Sequence, residues 1–578
     1  MRFLIPSLVT LAFVSLSSLA NPIAVSEIHY APPTEAEEEF IELINTSTST
    51  YNLAGCQFTT GITYTFGNVS LAPGQRIVVC RDRSLFRARY PDVANLAASS
   101  FSGRLSDDGE VLVLAAANGS ELFRFHYGID GAWPRRAKGI GSSLEAINPA
   151  GNPQDPTNWR PSTEYGGSPG VPGVGPIRQI VINEILAHTD PPFEDAIELH
   201  NVTSQSINVG GWYLSSPMSR PLRYRIPAGI VIPPGGFHVF YQYQFGSPTP
   251  APGDQAFALN SAYGDEVVLL STDSSGVPRF WMDDISFGPT GNGISLGRSP
   301  DGSGPLILLA QPTFGSDVRV SDSPVRLNEF RAGTGASNSY ALVGPIVFNR
   351  IQYHPAPQSD EFIELLNTGD SSVALFDPFN PVGTWRITHA VQFTFPTGIF
   401  LAPGEKTLVV PLQPDLFRSR NQIPESTRIF GPYSGSLPDA GGRIALDRPD
   451  PPQPFGEPDA GHIPRIPVEE IDYSATAPWP TGANGTGAAL LRRDPAQYGN
   501  DPAAWMLDRV LSVPDLRISW DGNVLTLRWD ADADSAVILE ESTRLGGTWN
   551  TAANLPAGTT STTVPTPHNE RWFRLRRP

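Results

Sequence analysis

Charged side chains recur in pairs at three places in the sequence. The pairs are Glu27 with Glu42, Glu184 with Glu198, and Arg350 with Glu364. Two carboxylates facing each other across neighbouring strands could bind a hard cation or act as a general acid and base. An arginine replaces the first carboxylate in the third pair, which favours structural cross-strand pairing over a reactive site.

Each second carboxylate lies in the motif Ile-Glu-Leu-x-Asn, which occurs at residues 41–45, 197–201 and 363–367. Alternation places Ile and Leu on one face of a strand and Glu on the other, which is the pattern of a half-buried strand. An asparagine closes each motif, at Asn45, Asn201 and Asn367. Asparagine suits a turn because its side chain can bond to the backbone two residues later. The motif is therefore predicted to mark the fold and not an active site.

The motif belongs to a repeat of about 140 to 165 residues, which is too long for a solenoid or a propeller blade and indicates tandem whole domains. Every copy starts with an apolar strand and carries a Pro-Gly turn typical of type II. Short helical turns are predicted at residues 84–89 and 415–420. Seven or more short strands per copy, separated by turn signals, predict an all-β chain of tandem antiparallel β-sandwiches.

The chain has only two cysteines, Cys56 and Cys80. In the aligned copies, Cys56 corresponds to Trp212 and Trp385, and Cys80 corresponds to Tyr241 and Val410. We expect both positions to face the core. A Cys56–Cys80 disulfide is predicted, because paired cysteines in exported chains are usually bridged. Closing this loop would contribute on the order of 3 kcal/mol.

The first 20 residues have the parts of an export signal: Arg2, an apolar stretch from Phe3 to Leu16, and the small-residue site Ser18–Ala20. Cleavage after Ala20 would begin the mature chain at Asn21. No later stretch approaches the roughly 18 apolar residues of a membrane helix. We therefore expect a secreted, periplasmic or cell-surface protein without a membrane span after cleavage.

The boundaries follow from these signals. We predict a signal peptide at 1–20, sandwich domains at 21–170, 177–316 and 345–512, a linker at 317–344, and a small sandwich at 514–578. A second Gly- and Pro-rich linker candidate covers residues 166–175. Within the longer linker, Val325–Phe330 resembles the opening strand of a domain, but no other part of the repeat follows it directly.

Other candidate sites are weaker. His29, His188 and His354 occupy different aligned positions near corresponding loops, so they are interpreted as surface residues and not as a ligand set. The stretch Asp530–Asp534 with Glu541 resembles the start of an EF-hand loop but lacks its central glycine; a weak calcium site there or around Glu37–Glu39 is an open alternative. No nucleophile elbow, Walker loop or Rossmann fingerprint occurs. We assign no catalytic, cofactor-binding or metal-binding residue.

The order Glu-Ile, Glu-Phe-Ile-Glu-Leu-x-Asn, Gly-Trp and Leu-x-Pro-Gly resembles the lamin-tail domain family. The resemblance covers residues 23–170, 180–316 and 346–510. It implies an immunoglobulin-like sandwich and, for exported bacterial relatives, a surface or cell-envelope binding module. The segment from residue 514 resembles a fibronectin type III or related immunoglobulin-like module. A fold alone does not establish an activity.

The formal net charge of −18 repels phosphate backbones, so no nucleic-acid partner is expected. The leading hypothesis is a non-catalytic, exported binding or structural protein whose partner is a polysaccharide, a protein or the cell wall. One alternative is an accessory or catalytic component acting on extracellular nucleic acid or phosphate esters. A further alternative is a passive spacer.

Overall fold

The computed structural model describes residues 21–33, 38–191, 193–315, 324–357, 359–456, 459–508, 517–520, 524–529, 537–544, 548–556, 559–565 and 571–576. It divides the chain into two compact units, Met1–Leu342 and Val343–Pro578. The predicted export signal and the acidic stretch Asp530–Asp534 lie outside the described residues. Among the helices that the structure describes, none is long and apolar enough to cross a membrane.

The first sandwich packs two five-stranded antiparallel sheets face to face. Its strands are β1 (Ile23–His29), β2 (Phe40–Asn45), β3 (Tyr51–Asn52), β4 (Gln57–Thr60), β5 (Ile62–Thr65), β6 (Ser70–Leu71), β7 (Arg76–Cys80), β8 (Ser102–Gly103), β9 (Glu110–Ala115), β10 (Glu121–Tyr127), β11 (Leu144–Ala146) and β12 (Trp159–Pro161). The sheet orders are β12-β11-β1-β2-β7 and β10-β9-β4-β5-β8, and β3 pairs with β6. Ile41 and Leu43 of the repeat motif lie in the same apolar core as Leu112 and Leu114 of β9.

The second sandwich repeats this plan. Its strands are β13 (Ile180–Leu186), β14 (Ala196–Asn201), β15 (Ile207–Asn208), β16 (Tyr213–Ser215), β17 (Tyr224–Arg225), β18 (Val231–Ile232), β19 (Phe237–Tyr241), β20 (Asp265–Thr272), β21 (Pro278–Phe287), β22 (Leu296–Arg298) and β23 (Leu306–Leu308). The sheet orders are β19-β14-β13-β22-β23 and β17-β16-β20-β21, and β15 pairs with β18.

Backbone pairing joins the first two sandwiches within their unit. Tyr165 N–H donates to the Arg279 carbonyl at 2.9 Å, and Trp281 N–H donates to the Thr163 carbonyl at 2.8 Å. The Arg136 guanidinium also lies 5.0 Å from the Trp281 ring centroid, within cation–π range. The chain that leaves the first sandwich therefore continues the second sheet of the second sandwich.

The third sandwich lies in the second compact unit. Its strands are β24 (Ile346–Gln352), β25 (Phe362–Asn367), β26 (Val373–Ala374), β27 (Arg386–His389), β28 (Val391–Thr394), β29 (Phe400–Leu401), β30 (Lys406–Val409), β31 (Arg428–Phe430), β32 (Ser434–Gly435), β33 (Gly441–Pro449), β34 (Arg465–Ser474), β35 (Ala489–Arg492) and β36 (Trp505–Asp508). The sheet orders are β31-β30-β25-β24-β35-β36 and β32-β28-β27-β33-β34, and β26 pairs with β29. The pairing of β30 with β31 is parallel.

The C-terminal segment forms two three-stranded sheets. Its strands are β37 (Arg517–Trp520), β38 (Val524–Arg528), β39 (Val537–Ser542), β40 (Asn550–Leu555), β41 (Ser561–Pro565) and β42 (Trp572–Arg576). The sheet orders are β37-β38-β41 and β40-β39-β42. Leu527, Trp529, Leu539 and Leu575 form its small core. The described part of the chain is thus built from mainly antiparallel β-sandwiches, which confirms the predicted all-β fold class. The likeness of this segment to a fibronectin type III module stays a prediction.

Helices and 3₁₀ turns cover the sandwiches. The described helices are α1 (Arg83–Arg89), α2 (Gln242–Phe245), α3 (Pro324–Arg331) and α4 (Pro414–Asn421), with 3₁₀ turns at Arg135–Ala137, Pro156–Asn158, Thr481–Ala483 and Pro502–Ala504. The Asp82 carboxylate starts α1 by accepting the N–H groups of Ser84 and Leu85. Phe86, Phe330 and Phe417 belong to apolar clusters outside the three main cores. The first sheet of each sandwich is therefore covered on both faces.

The segment predicted to be a linker at residues 317–344 differs from that expectation. Its repeat of a domain opening, Val325–Phe330, lies in helix α3 and not in a strand. Phe330 packs against Phe314 and Tyr241. Leu342 N–H donates to the Leu308 carbonyl at 2.8 Å. The described part of this segment, from residue 324 to residue 342, packs on the second sandwich because the outer face of that sheet is apolar and must be buried.

Candidate functional site

The three charged pairs occupy one register. In each sandwich the first two strands pair antiparallel, with a β-bulge just before the charged residue of the first strand. This register places opposite each other Glu27 and Glu42, Glu184 and Glu198, and Arg350 and Glu364. The sequence pattern predicts a half-buried strand, but the structure buries the face that carries the charged pairs as well: Glu27 is 2% exposed and Glu198 is fully buried.

Residues 162–175, here called the first strap, cover the pair in the first sandwich. The strap donates Ser168 N–H to Glu27 at 2.7 Å and Gly170 N–H to Glu42 at 2.6 Å. The Arg76 guanidinium lies 2.9 Å from Glu42. A cavity of about 130 Å³ beside the pair is also lined by Glu145 and Arg160, which form an ion pair of 3.0 Å. The predicted linker at 166–175 is therefore a lid over the carboxylates.

The charged pair of the second sandwich is also covered by a strap. This second strap consists of residues 311–315 and 333–338. Thr313 N–H donates to Glu184 at 3.0 Å, and Ala336 N–H donates to Glu198 at 3.1 Å. Asn183, the bulge residue, donates its side-chain amide to Glu198 at 2.9 Å. Each strap thus satisfies both carboxylates of its pair with backbone N–H groups.

The third sandwich compensates its single carboxylate with a cation. The Arg350 guanidinium lies 3.8 Å from Glu364 and 3.1 Å from Asp508. Asn349 donates its side-chain amide to Glu364, as Asn183 does in the second sandwich. Arg350 occupies the register position that Glu27 and Glu184 hold in the other two sandwiches.

Burial changes the protonation of the enclosed pairs. Loss of hydration raises the pKa of Glu42 and of Glu184 to about 7 and that of Glu198 to about 9. Burial, with Glu42 and Glu145 nearby, also raises the pKa of Glu27. The second pair therefore holds a proton at neutral pH. Enclosed by the straps, these groups contact protein donors and serve the packing of the fold.

The motif asparagines build turns. Asn45 donates to the carbonyls of Leu71 and Ser49, both at 2.8 Å, and accepts Ser47 N–H at 2.9 Å. Asn201 and Asn367 make equivalent bonds in their copies. Each asparagine thereby ties the end of its strand to the Pro-Gly turn.

The predicted disulfide is not formed, because both cysteines are free thiols. Cys56 lies in the sandwich core, as Trp212 and Trp385 do. Cys80 lies in the outer cluster with Phe86, on the opposite face of the sheet. Within β7, Ile77 and Val79 face the core, so strand alternation turns Cys80 away from it. Cys56 and Cys80 are thus both buried, but Cys56 faces the sandwich core and Cys80 faces the outer cluster.

His29 is not the surface residue that its sequence position suggested. It is 1% exposed, and burial lowers its pKa to about 3. His188 bonds through Nδ1 to the Thr290 carbonyl at 2.8 Å. Glu39, one of the residues considered for calcium, is buried and lies 3.2 Å from Arg81. Among the residues that the structure describes, no group of three His, Cys, Asp or Glu side chains is placed to hold a metal ion.

A second charged pair, between the sheets, was missed by sequence reasoning. In the second sandwich, Arg298 is 2.9 Å from Asp283 and donates Nε–H to the Ile182 carbonyl at 2.9 Å. Asp283 accepts the Ile182 N–H at 2.8 Å. Together, Asp283 and Arg298 thus bond to the N–H and the C=O of Ile182 in β13.

The third sandwich has a corresponding buried ion pair that bonds to the backbone of its first strand. Arg492 is fully buried, lies 2.7 Å from Glu469 and donates to the Phe348 carbonyl at 3.1 Å. Glu469 accepts the Phe348 N–H at 2.6 Å. The Arg492 guanidinium also lies 5.4 Å from the Trp505 ring centroid.

The first sandwich lacks this pair and has a cavity in its place. By strand register, Ala146 corresponds to Arg298 and Arg492, and Phe123 corresponds to Asp283 and Glu469. The cavity has a volume of about 530 Å³. Val25, Phe123, Phe125, Ala146 and Trp159 are among its lining residues. This is the candidate binding site of the chain.

Comparison with known proteins bears on two of the sandwiches. The Lamin Tail Domain family model matches residues 17–128 and 175–283. These two segments are supported as lamin-tail, immunoglobulin-like domains. The third copy lies outside the matched residues, although its first two strands keep the same register.

Among solved structures, a DUF4876 family protein from Bacteroides thetaiotaomicron is similar to this chain at 11% identity with a TM-score of 0.18. The similarity covers 58% of this chain and 92% of that one. The comparison with curated proteins finds no match.

Proposed function

We propose that the chain is a non-catalytic, exported protein that binds another macromolecule at a cell surface, envelope or matrix, with the cavity of the first sandwich as its binding site. The observation that carries this proposal is the cavity of about 530 Å³, which the other two sandwiches replace with a buried ion pair. Its volume is in the range of ligand pockets, and three aromatic residues, Phe123, Phe125 and Trp159, are among those that line it.

The distribution of charge supports the non-catalytic part of the proposal. The carboxylates that could act as an acid and a base are enclosed by the straps and bonded to backbone N–H groups. A reacting group must come within hydrogen-bond reach of its substrate. Export rests on the signal-peptide pattern of residues 1–20.

Glycan and protein arrays probed with the chain beginning at Asn21 test the proposal. The double variant Ala146→Arg/Phe123→Glu introduces into the first sandwich the charged pair of the other two. We expect the wild-type chain to bind a ligand on the arrays and the double variant to lose that binding. A blank array, or binding that the double variant leaves unchanged, would contradict it and favour a spacer. Metal-dependent nuclease or phosphatase turnover by the purified chain would favour the alternative activity.

A further inference from the structure

The free edge of the first strand faces the cavity. Thr46 N–H donates to the Pro22 carbonyl at 2.9 Å. Because bonded and non-bonded pairs alternate in an antiparallel ladder, Ala24 bonds to β2 while Ile23 and Val25 turn their N–H and C=O groups away from it. On that outer side β11 pairs only with Glu27 and Ile28.

Ile23 and Val25 therefore present backbone donors and acceptors to the cavity that they line. Within the described part of the chain, no group outside the sheet bonds to the backbone of either residue. Such groups normally find a partner, because an unpaired buried N–H or C=O is costly.

The other sandwiches show what chemistry this edge requires. At the position of Val25, a carboxylate accepts the N–H of Ile182 or Phe348 and an arginine donates to its C=O. An acceptor and a donor flanking one residue are what the opposite residue of a bonded antiparallel pair supplies. The buried ion pair thus imitates one residue of an added strand.

We infer that the cavity of the first sandwich binds an extended peptide segment of another protein, which pairs with the β1 edge at Val25 and continues the row of β11. This inference rests on the proposed function and specifies its partner. One peptide side chain would lie against Phe123, Phe125 and Trp159. Strand addition of this kind takes affinity from main-chain bonds and specificity from a side-chain pocket.

Hydrogen-bond geometry favours a peptide over an acetamido sugar. The N–H and C=O of a single trans amide point in opposite directions, so one acetamido group cannot serve both backbone groups of Val25. A residue in an extended peptide carries its N–H and C=O on the same side, separated by Cα. None of the described residues that line the cavity is charged, so a charged peptide side chain would lose its hydration there without gaining a partner.

A displayed library of linear heptapeptides, selected on the chain beginning at Asn21, tests the inference. We expect enriched peptides with an apolar residue flanked by alternating β-formers. Affinity should fall more than tenfold in the Ala146→Arg/Phe123→Glu variant and in Ala146→Leu, which fills the cavity with apolar atoms alone. Ala98→Arg adds the same charge at an exposed site and should leave binding unchanged.

N-methylation of the selected peptide gives a signature specific to strand pairing. Methyl groups on alternate amides should abolish binding, and methyl groups on the intervening amides should be tolerated. Bound peptide should also slow hydrogen exchange of the Val25 amide at least tenfold. Equal tolerance at every amide, or binding unaffected by both cavity variants, would overturn the inference.

Two further outcomes separate this inference from the proposed function. Glycans that bind wild type but not the double variant, with no peptide enriched, would leave the binding site in place and refute a peptide partner. Protection of the Val25 amide in the chain that begins at Met1, lost in the chain that begins at Asn21, would make residues 1–20 the occupant. That result would also refute a separate partner.

Discussion

The first and third sandwiches share one strand register but compensate buried polar groups in opposite ways. The first encloses two carboxylates, Glu27 and Glu42, under a strap of backbone donors and leaves the interior edge of β1 open. The third pairs its outer carboxylate, Glu364, with a cation and closes the interior edge with Arg492 and Glu469.

The difference shows that one fold tolerates several solutions to the same requirement. Every buried donor or acceptor needs a partner, but the partner can be a side chain, a neighbouring backbone segment or a ligand. In the third sandwich, Glu469 and Arg492 supply the partners of the Phe348 N–H and C=O groups. In the first sandwich, no described group outside the sheet bonds to the backbone of Ile23 or Val25, which is why we propose it as the binding domain of the three.

Removing the arginine of the third sandwich should have the largest effect. Arg492→Ala leaves Glu469 buried without its cation, and breaking a buried pair in this way costs about 3–5 kcal/mol of unfolding free energy. Arg492→Ala with Glu469→Phe copies the first sandwich and should cost less, because no charge is stranded. Denaturant-dependent hydrogen exchange of the Phe348 segment in the full chain measures both. Equal losses would show that the charge itself is unimportant.

Crowding the first strap should have the next largest effect. A Cβ at Gly167 (φ +92°) would lie 2.5 Å from Glu27 Oε1, so Gly167→Ala must displace the strap at a cost of about 1–3 kcal/mol. Gly119 (φ +84°) has open space around it, so Gly119→Ala isolates the backbone cost of the left-handed conformation. Thermal unfolding should show a larger loss for Gly167→Ala. Matching losses would mean that the strap adapts freely.

The pH dependence of stability sharpens the contrast between enclosed and cation-paired carboxylates. The pKa of Glu198 is about 9 in the folded chain against an ordinary 4.5, so the folded state holds its proton more tightly. This stabilisation is complete at acid pH and is lost as the pH rises from about 4.5 towards 9.

Glu198→Gln should therefore reduce the loss of stability between pH 5 and 8 by at least about 1.4 kcal/mol, the equivalent of one pKa unit. Glu364→Gln removes the carboxylate at the same register position of the third sandwich and serves as the matched control. Denaturant titrations at several pH values provide the measurement. An unchanged slope in Glu198→Gln would mean that its carboxylate ionises freely in the folded chain.

The smallest expected effect concerns the cysteines of the first sandwich, of which Cys56 lies in the core between the two sheets and Cys80 lies on the outer face of the first sheet. Alkylation of the denatured, unreduced chain should label both Cys56 and Cys80. Reductant should leave the melting temperature unchanged. A chain that resists labelling until it is reduced would show that oxidation rearranges β7.

The sequence was sufficient for the repeated parts of the fold. The Ile-Glu-Leu-x-Asn motif locates the second strand of each sandwich, and the helical turns predicted at 84–89 and 415–420 correspond to α1 and α4. Alternation could not show that the Glu face is covered, because the straps come from segments whose Gly and Pro content is typical of linkers. For the same reason, alternation could not show whether the buried Cys80 faces the core or the covered outer face of its sheet, where it lies.

The cavity of the first sandwich could not be predicted, because neither Ala146 nor Phe123 carries a sequence signal of its own. Ala146 and Phe123 acquire meaning only when strand register aligns them with Arg298 and Asp283. A signal existed: Arg298 and Arg492 follow the same aligned strand position, and the first copy has no arginine there. Their partners lie on another sheet at variable spacing, so sequence comparison alone does not pair them.

The first strap also has a mechanical consequence. It lies in series between β12 and β13, so tension along the chain would load its hydrogen bonds to Glu27 and Glu42. Peeling it away would release 14 residues, or at most about 50 Å of contour length, and hydrate two carboxylates. The segment would then act as an extensible element between the two sandwiches.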